Sequence, residues 1–218
     1  MEWSFRRADS RSTGVLEVSR FLCHVIFNET KFNGVYLIDM EPVVDDRGFF
    51  ARTFCRDEFA KHGLNPKVVQ CNLSYSRQKG TLRGMHYQVV PKEEAKLVSC
   101  TLGAIYDVIM DLRVDSPTYC EWLAVELSAR GHRRMLYIPE GFAHGFQTLE
   151  DHTEVFYQMS EFYAPECARG VRWNDPTIGI QWPEGPRIMS ERDRSYPDFD
   201  KGGKIDGKEG GSCSGENG

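Results

Sequence analysis

The sequence contains no apolar run approaching the ~20 residues that a membrane-spanning helix needs, so no membrane partner is expected. It also lacks a dominant charge. With 27 basic and 32 acidic residues, the formal net charge is −5, and no general basic field exists to hold a nucleic-acid backbone. A phosphate-bearing ligand must then be small and met by a few local arginines. The seven cysteines (23, 55, 71, 100, 120, 167 and 213) are odd in number and show no C-x-x-C spacing. That pattern excludes a disulfide framework or a zinc knuckle and reads as reduced thiols in a cytoplasmic protein. Internal repeats are absent. No targeting segment is expected either: Arg6, Arg7, Arg11 and Arg20 precede a short apolar run, Phe21–Phe27, but His24 interrupts it. Acidic Glu2, Asp9 and Glu17 further argue against a transit peptide.

What the sequence does have is glycine (20 residues), aromatics (12%) and strand after strand, the mixture of an all-β chain, where turns need glycine and strands favour rings. Strands are expected at Val35–Met40, Phe49–Phe54, Val68–Ser76, Leu82–Val89, Lys96–Thr101, Ala104–Leu112, Trp122–Ser128, Met135–Ile138, Phe146–Leu149 and Thr153–Ser160. Their spacing of roughly 8–12 residues indicates an antiparallel sandwich or barrel. A short helix is expected at Cys55–His62, stopped by Gly63 and Pro66, and a helical turn at Met189–Asp193, capped by Ser190. In Ala104–Leu112, the set Ala104, Tyr106, Val108 and Met110 reads as core. The alternate set carries Asp107 and Asp111, which suits a strand lining a polar cavity. Residues 1–30 read as a variable extension, 31–197 as one domain, and 198–218 as a disordered tail. From Lys201 onward the chain holds seven of its glycines, too little apolar surface to offset the entropy of ordering.

Two segments carry the chemistry. Gly80-Thr81-Leu82-Arg83-Gly84-Met85-His86-Tyr87-Gln88 and Ile138-Pro139-Glu140-Gly141-Phe142-Ala143-His144-Gly145-Phe146 each place one histidine in a glycine-punctuated, strand-like stretch. Both are expected to face one cavity. The second segment resembles the second motif of the cupin superfamily. The first lacks the additional ligands of a cupin metal centre, reading only His86-Tyr87-Gln88, and two histidines make a poor metal site. No metal is therefore expected. Acid–base work is the alternative, because an unperturbed imidazole, with a pKa of about 6.5, titrates near working pH.

The succession DDRGFFARTF, VVQCNLSYS, GTLRGMHYQ, EAKLV, GAIYDVIMDLR, DSPTY, RRMLYIPEGFAHGFQTLED, EVFYQ, FYAPE, RGVRWNDPTIGIQWP and SERD closely resembles the dTDP-4-dehydrorhamnose 3,5-epimerase family over about residues 31–197. The resemblance implies a cupin-like jelly-roll barrel with a few short helices, a homodimer with strands shared between subunits, no cofactor, and a nucleotide-sugar substrate. It implies catalytic roles for His86 as base, Asp193 as its orienting partner, Lys96 as oxyanion donor and Tyr157 as proton donor. Arg47, Gln70, Asn72, Arg83, His144 and Arg192 match substrate-binding positions, and Tyr163 is either a residue closing the sugar pocket or a loop tyrosine packed on Trp173. Arg47 and Arg83 suit a pyrophosphate, since guanidinium forks match paired phosphate oxygens. Arg83 and His86 have opposite parity in a regular strand, so both can face inward only through a bulge at Gly84. Phe49 and Phe50 are either stacking partners for a base or barrel core.

Two departures from the family pattern fall in its nucleotide- and sugar-binding region: Arg52 replaces an acidic residue, and Gln70-Cys71-Asn72-Leu73 replaces Gln-Asp-Asn-His. They leave open a single-site 3- or 5-epimerase, or one acting on a CDP- or GDP-linked sugar. Two readings of other classes remain: a metal-dependent cupin enzyme, which needs a third ligand near His86 and His144, and a non-catalytic sugar-nucleotide binder, which has no need of a base and an acid.

Overall fold

The computed structural model describes residues 24–131 and 133–201. Most of the expected extension and of the expected tail lies outside the described residues. The order of elements is β1 (Val25–Glu29), β2 (Tyr36–Met40), β3 (Val43–Asp45), β4 (Gly48–Phe50), α1 (Arg56–Lys61), β5 (Gln70–Ser76), β6 (Leu82–Gln88), β7 (Lys96–Leu102), β8 (Ala104–Asp111), β9 (Trp122–Ser128), β10 (Met135–Ile138), β11 (Phe142–Thr148), β12 (Thr153–Met159), β13 (Ala168–Gly170) and α2 (Glu191–Arg194). A six-stranded sheet, β1-β2-β10-β7-β12-β5, faces a five-stranded sheet, β13-β6-β11-β8-β9, and β3 and β4 form a separate hairpin. Pairing within the sheets is antiparallel throughout. This is the jelly-roll barrel of the sequence reading. No helix among the described residues is long and apolar enough to cross a membrane.

Strand alternation sorts the apolar residues into layers. Val98, Leu136 and Val155 of the first sheet meet Ile105, Ile109, Leu127, Phe142 and Phe146 of the second in the central cluster. The opposite face of the first sheet packs Leu97, Met135 and Tyr137 against Phe59 of α1. Phe59 is fully buried, a contribution of about 2–3 kcal/mol. The opposite face of the second sheet packs Val108 and Met110 under Val171, Ile178 and Ile180 from the segment after β13. Both faces of β8 are therefore core. Asp107 points into the barrel, whereas Asp111 serves a network at the strand end, bonded to Arg113, Ser116 and Thr118.

Several strands depart from the sequence reading, among them β3 and β13, which it did not anticipate. Val25–Glu29, assigned to the extension, is an edge strand paired with β2, and its Val25 and Phe27 pack onto the Phe59 cluster. His24, which breaks the apolar run, pairs with Glu58 at 3.1 Å. β11 starts at Phe142, four residues earlier than expected. Every position of it is buried, because it lies between β6 and β8, so it lacks the alternation that marks a half-exposed strand. Phe49 is not barrel core. It sits on β4, 51% exposed, with the Arg133 guanidinium 5.2 Å from its ring centre.

Candidate active site

A cavity of about 570 Å³ lies between the two sheets, within the range usual for small-molecule sites. His86 and His144, direct register partners on β6 and β11, both line it. Between these strands the register passes from His144↔His86 to Phe146↔Arg83, three residues on β6 against two on β11. This is the expected bulge. Gly84 sits at its centre with φ +123°, and a Cβ there would lie 2.5 Å from the Cα of Gly145. Only glycine permits that backbone and that approach. The extra residue cancels the parity conflict, so Arg83 and His86 line the same cavity.

Each histidine has its own carboxylate. His86 Nε2 is 2.7 Å from Asp193 Oδ1, and His144 Nε2 is 2.7 Å from Asp107 Oδ1. A neutral imidazole that donates Nε2–H to the carboxylate keeps its lone pair on Nδ1, ready to accept a proton. Asp193 is set by a helix cap: its amide donates to Ser190 Oγ at 3.1 Å, and its Oδ2 accepts from the Gly84 amide at 3.2 Å. Burial disfavours its charged form, but the bonds from His86 and Gly84 outweigh that cost and hold the carboxyl below its ordinary range. His144 and Asp107 are buried more deeply, and Asp107 Oδ2 has no partner.

The opposite wall comes from the other sheet. Lys96 on β7 and Tyr157 on β12 line it, and Lys96 Nζ is 2.7 Å from Glu94 Oε1. Burial pushes the Tyr157 phenol above its ordinary pKa; the charge of Arg83 lowers it and that of Glu94 raises it. Gln70 and Asn72 on β5 also face inward and are joined by a 3.2 Å bond. Gln70 Oε1 accepts from the Tyr163 amide at 3.2 Å, and Arg192 Nη1 donates to the Tyr163 hydroxyl at 3.3 Å. The Arg83 guanidinium reaches the Tyr75 carbonyl at 3.2 Å.

Ten of the eleven site residues expected from sequence thus line one cavity. The eleventh, Arg47, does not. It lies in the β3–β4 turn with its Nε 3.1 Å from Asp45 Oδ2, because that hairpin pairs only with itself. Arg52 is also outside the cavity, bonded to Glu58 at 2.8 Å. Sequence reasoning passed over Glu94 and Gln88. Gln88 is buried and holds the Tyr163 loop from both sides, donating to Phe162 O at 3.2 Å and accepting from the Ala164 amide at 2.6 Å. It carries little signal in sequence, since β6 mixes buried, half-buried and exposed positions. Asp107 was visible as a carboxylate on a core strand. Among the described residues, no three His, Cys, Asp or Glu side chains are grouped to hold a metal ion.

Known proteins show the same design. Residues 29–201 match the family model described as dTDP-4-dehydrorhamnose 3,5-epimerase. An enzyme of that name from Sinorhizobium fredii is 42% identical over 177 residues, covering 81% of this chain and 90% of its own. A crystal structure of the Bacillus anthracis enzyme, with TDP and PPi bound, superposes with a TM-score of 0.78 at 43% identity, covering 81% of this chain and all of that one. A 3′-monoepimerase from Streptomyces bikiniensis, in complex with dTDP-quinovose, gives a TM-score of 0.72 at 31% identity, covering 78% and 85%. With sequence and barrel in agreement over nearly all the described residues, the chain belongs to the dTDP-4-dehydrorhamnose 3,5-epimerase family.

Proposed function

We propose that this chain is an isomerase that epimerises dTDP-4-dehydro-6-deoxy-D-glucose at C3 and C5, giving dTDP-4-dehydro-L-rhamnose. The observation that carries the mechanism is the placement of His86 and Tyr157 on opposite sheets across one cavity. A carbon inverts when its proton leaves from one face and another returns to the opposite face. The C4 ketone acidifies the hydrogens on C3 and C5, so the reaction needs a base, a stabiliser for the enolate oxygen and an acid.

His86 Nδ1 takes the carbon-bound proton, and Asp193 steadies the resulting imidazolium. The electron pair of the broken C–H bond becomes the enolate, with negative charge on the C4 oxygen. Lys96 donates to that oxygen; such donors typically supply ~3 kcal/mol of barrier lowering. Tyr157 then delivers its phenolic proton to the carbon from the other wall, and exchange with water restores both groups. The upward push of burial on the phenol keeps its proton in place until an enolate of high proton affinity requires it. Arg83 suits the diphosphate, while Gln70, Asn72, His144, Tyr163 and Arg192 hold the sugar and its nucleotide. No metal or cofactor enters this scheme.

A homodimer completes the reading. The β3–β4 hairpin leaves Val43, Val44 and Phe49 exposed with no partner strand, and the outer face of edge strand β5 exposes Leu73 and Tyr75. A second copy covering these surfaces brings Arg47 and Phe49 towards the neighbouring cavity, where a guanidinium and a ring meet a nucleoside diphosphate. The five described cysteines form no disulfide, in keeping with a cytoplasmic location. A second reading, inversion at one carbon only, is supported by the likeness to the Streptomyces 3′-monoepimerase.

The test is incubation with dTDP-4-dehydro-6-deoxyglucose in heavy water. Deuterium at both C3 and C5 is the expected result, deuterium at one carbon identifies a single-site epimerase, and none at either overturns the reading.

A further inference from the structure

Glu94 is buried at the edge of the cavity, and nothing in the scheme above uses it. Its side chain is 4% exposed and that of Lys96 10%, with Oε1 2.7 Å from Nζ. Its other oxygen, Oε2, is buried with no hydrogen-bond partner. The pair is held by its backbone: the Ala95 amide donates to Ser160 Oγ at 2.7 Å, and the Ser160 amide donates to Ala95 O at 2.9 Å. A buried ion pair with one oxygen unsatisfied is a poor device for stability, since apolar residues of similar size serve as well or better. It is a good device for aiming a cation. An ammonium has three N–H bonds; Glu94 takes one, and Lys96 has no other ion-pair partner among the described residues.

We propose that Glu94 is the positioning residue for Lys96, fixing the ammonium so that its remaining N–H bonds meet the oxygen on which negative charge develops. The proposal rests on the epimerase reading and deepens it. Lys96 and Tyr157 share one wall, their strands being neighbours in the first sheet, so the carboxylate also bears on the acid. Burial raises the Tyr157 pKa, Arg83 lowers it and Glu94 raises it. The other titratable or charged groups lining that cavity are His86, Tyr87, Lys96, His144, Tyr163, Arg169, Arg192 and Asp193. Removing the charge of Glu94 alone therefore moves the phenol downward.

The experiment compares the wild-type protein with Glu94→Gln and Glu94→Asp, reading steady-state kinetics against pH and deuterium wash-in at C3 and C5. Glu94→Gln should lower kcat about 10–100-fold, the loss of one oriented charge-assisted contact in the transition state, while KM changes by less than about threefold. Wash-in should fall in parallel, and the alkaline limb of kcat/KM should move to lower pH. Glu94→Asp, which keeps the charge, should retain the alkaline limb and recover part of kcat. It carries the same readouts if the Gln variant fails to fold. An unchanged kcat, or a raised KM at unchanged kcat, overturns the proposal. Absence of wash-in by the wild-type protein overturns instead the reading on which it rests.

Discussion

At the scale of the residue, the two His–Asp pairs share one distance and differ in setting. Asp193 is held by a helix cap and a strand amide, Asp107 by the barrel interior. The depressed pKa of Asp193 has a consequence for stability whose sign is fixed. A carboxyl whose folded pKa lies below the unfolded value of about 3.9 stabilises the fold above that value, and the contribution is lost as pH falls through the folded pKa. Asp193→Asn should therefore unfold at a lower temperature than wild type at pH 7, with the gap closing as the pH is taken below about 4. Melting curves from pH 7 to pH 3 read this directly. Its activity should fall about 10²–10⁴-fold. Most of these residues were legible because the motifs that carry them, GTLRGMHYQ, EAKLV, EVFYQ and SERD, resemble those of the family and follow in the same order. Glu94 was not, since a Glu-Glu pair before a strand reads as a solvated turn until burial is known.

At the scale of the element, alternation revealed the half-exposed strands and missed those governed by other forces. β11 is buried on both faces and shows no period. β1 is an edge strand whose apolar residues join a cluster that includes Phe59 of α1, some thirty residues on. The bulge in β6 was legible because Arg83 and His86 make incompatible demands on a regular strand and a glycine stands between them. That glycine is also the most constrained position of the site. Gly84→Ala places a methyl group 2.5 Å from the Gly145 Cα at a left-handed φ and should cost about 3 kcal/mol or more. Gly131 has φ +68° and open space around it, so Gly131→Ala should cost only about 1–2 kcal/mol. Urea midpoints of the two variants, compared with wild type, check the difference.

At the scale of the whole molecule, the sequence could not say where Arg47 would lie. A single chain leaves it on a hairpin that contributes nothing to its own cavity, so the role implied by resemblance depends on a second copy. Phe49→Asp puts a charge on the exposed face of that hairpin. On the homodimer reading, it should give a monomer in sedimentation experiments and raise KM, because a neighbouring copy's guanidinium would no longer reach the diphosphate. A monomer with unchanged KM would remove Arg47 from the site.

His86 and Tyr157 belong to different sheets, and what separates those sheets is the central cluster in which Val98, Leu136 and Val155 meet Ile105, Ile109 and Phe146. The gap between them is therefore a packing thickness. Protein interiors are nearly incompressible, and a displacement of about 1 Å at reacting groups can change a rate on the order of 100-fold. Turnover in this barrel is thus a gauge of its own interior: a methyl group removed far from the substrate alters the caliper that holds it.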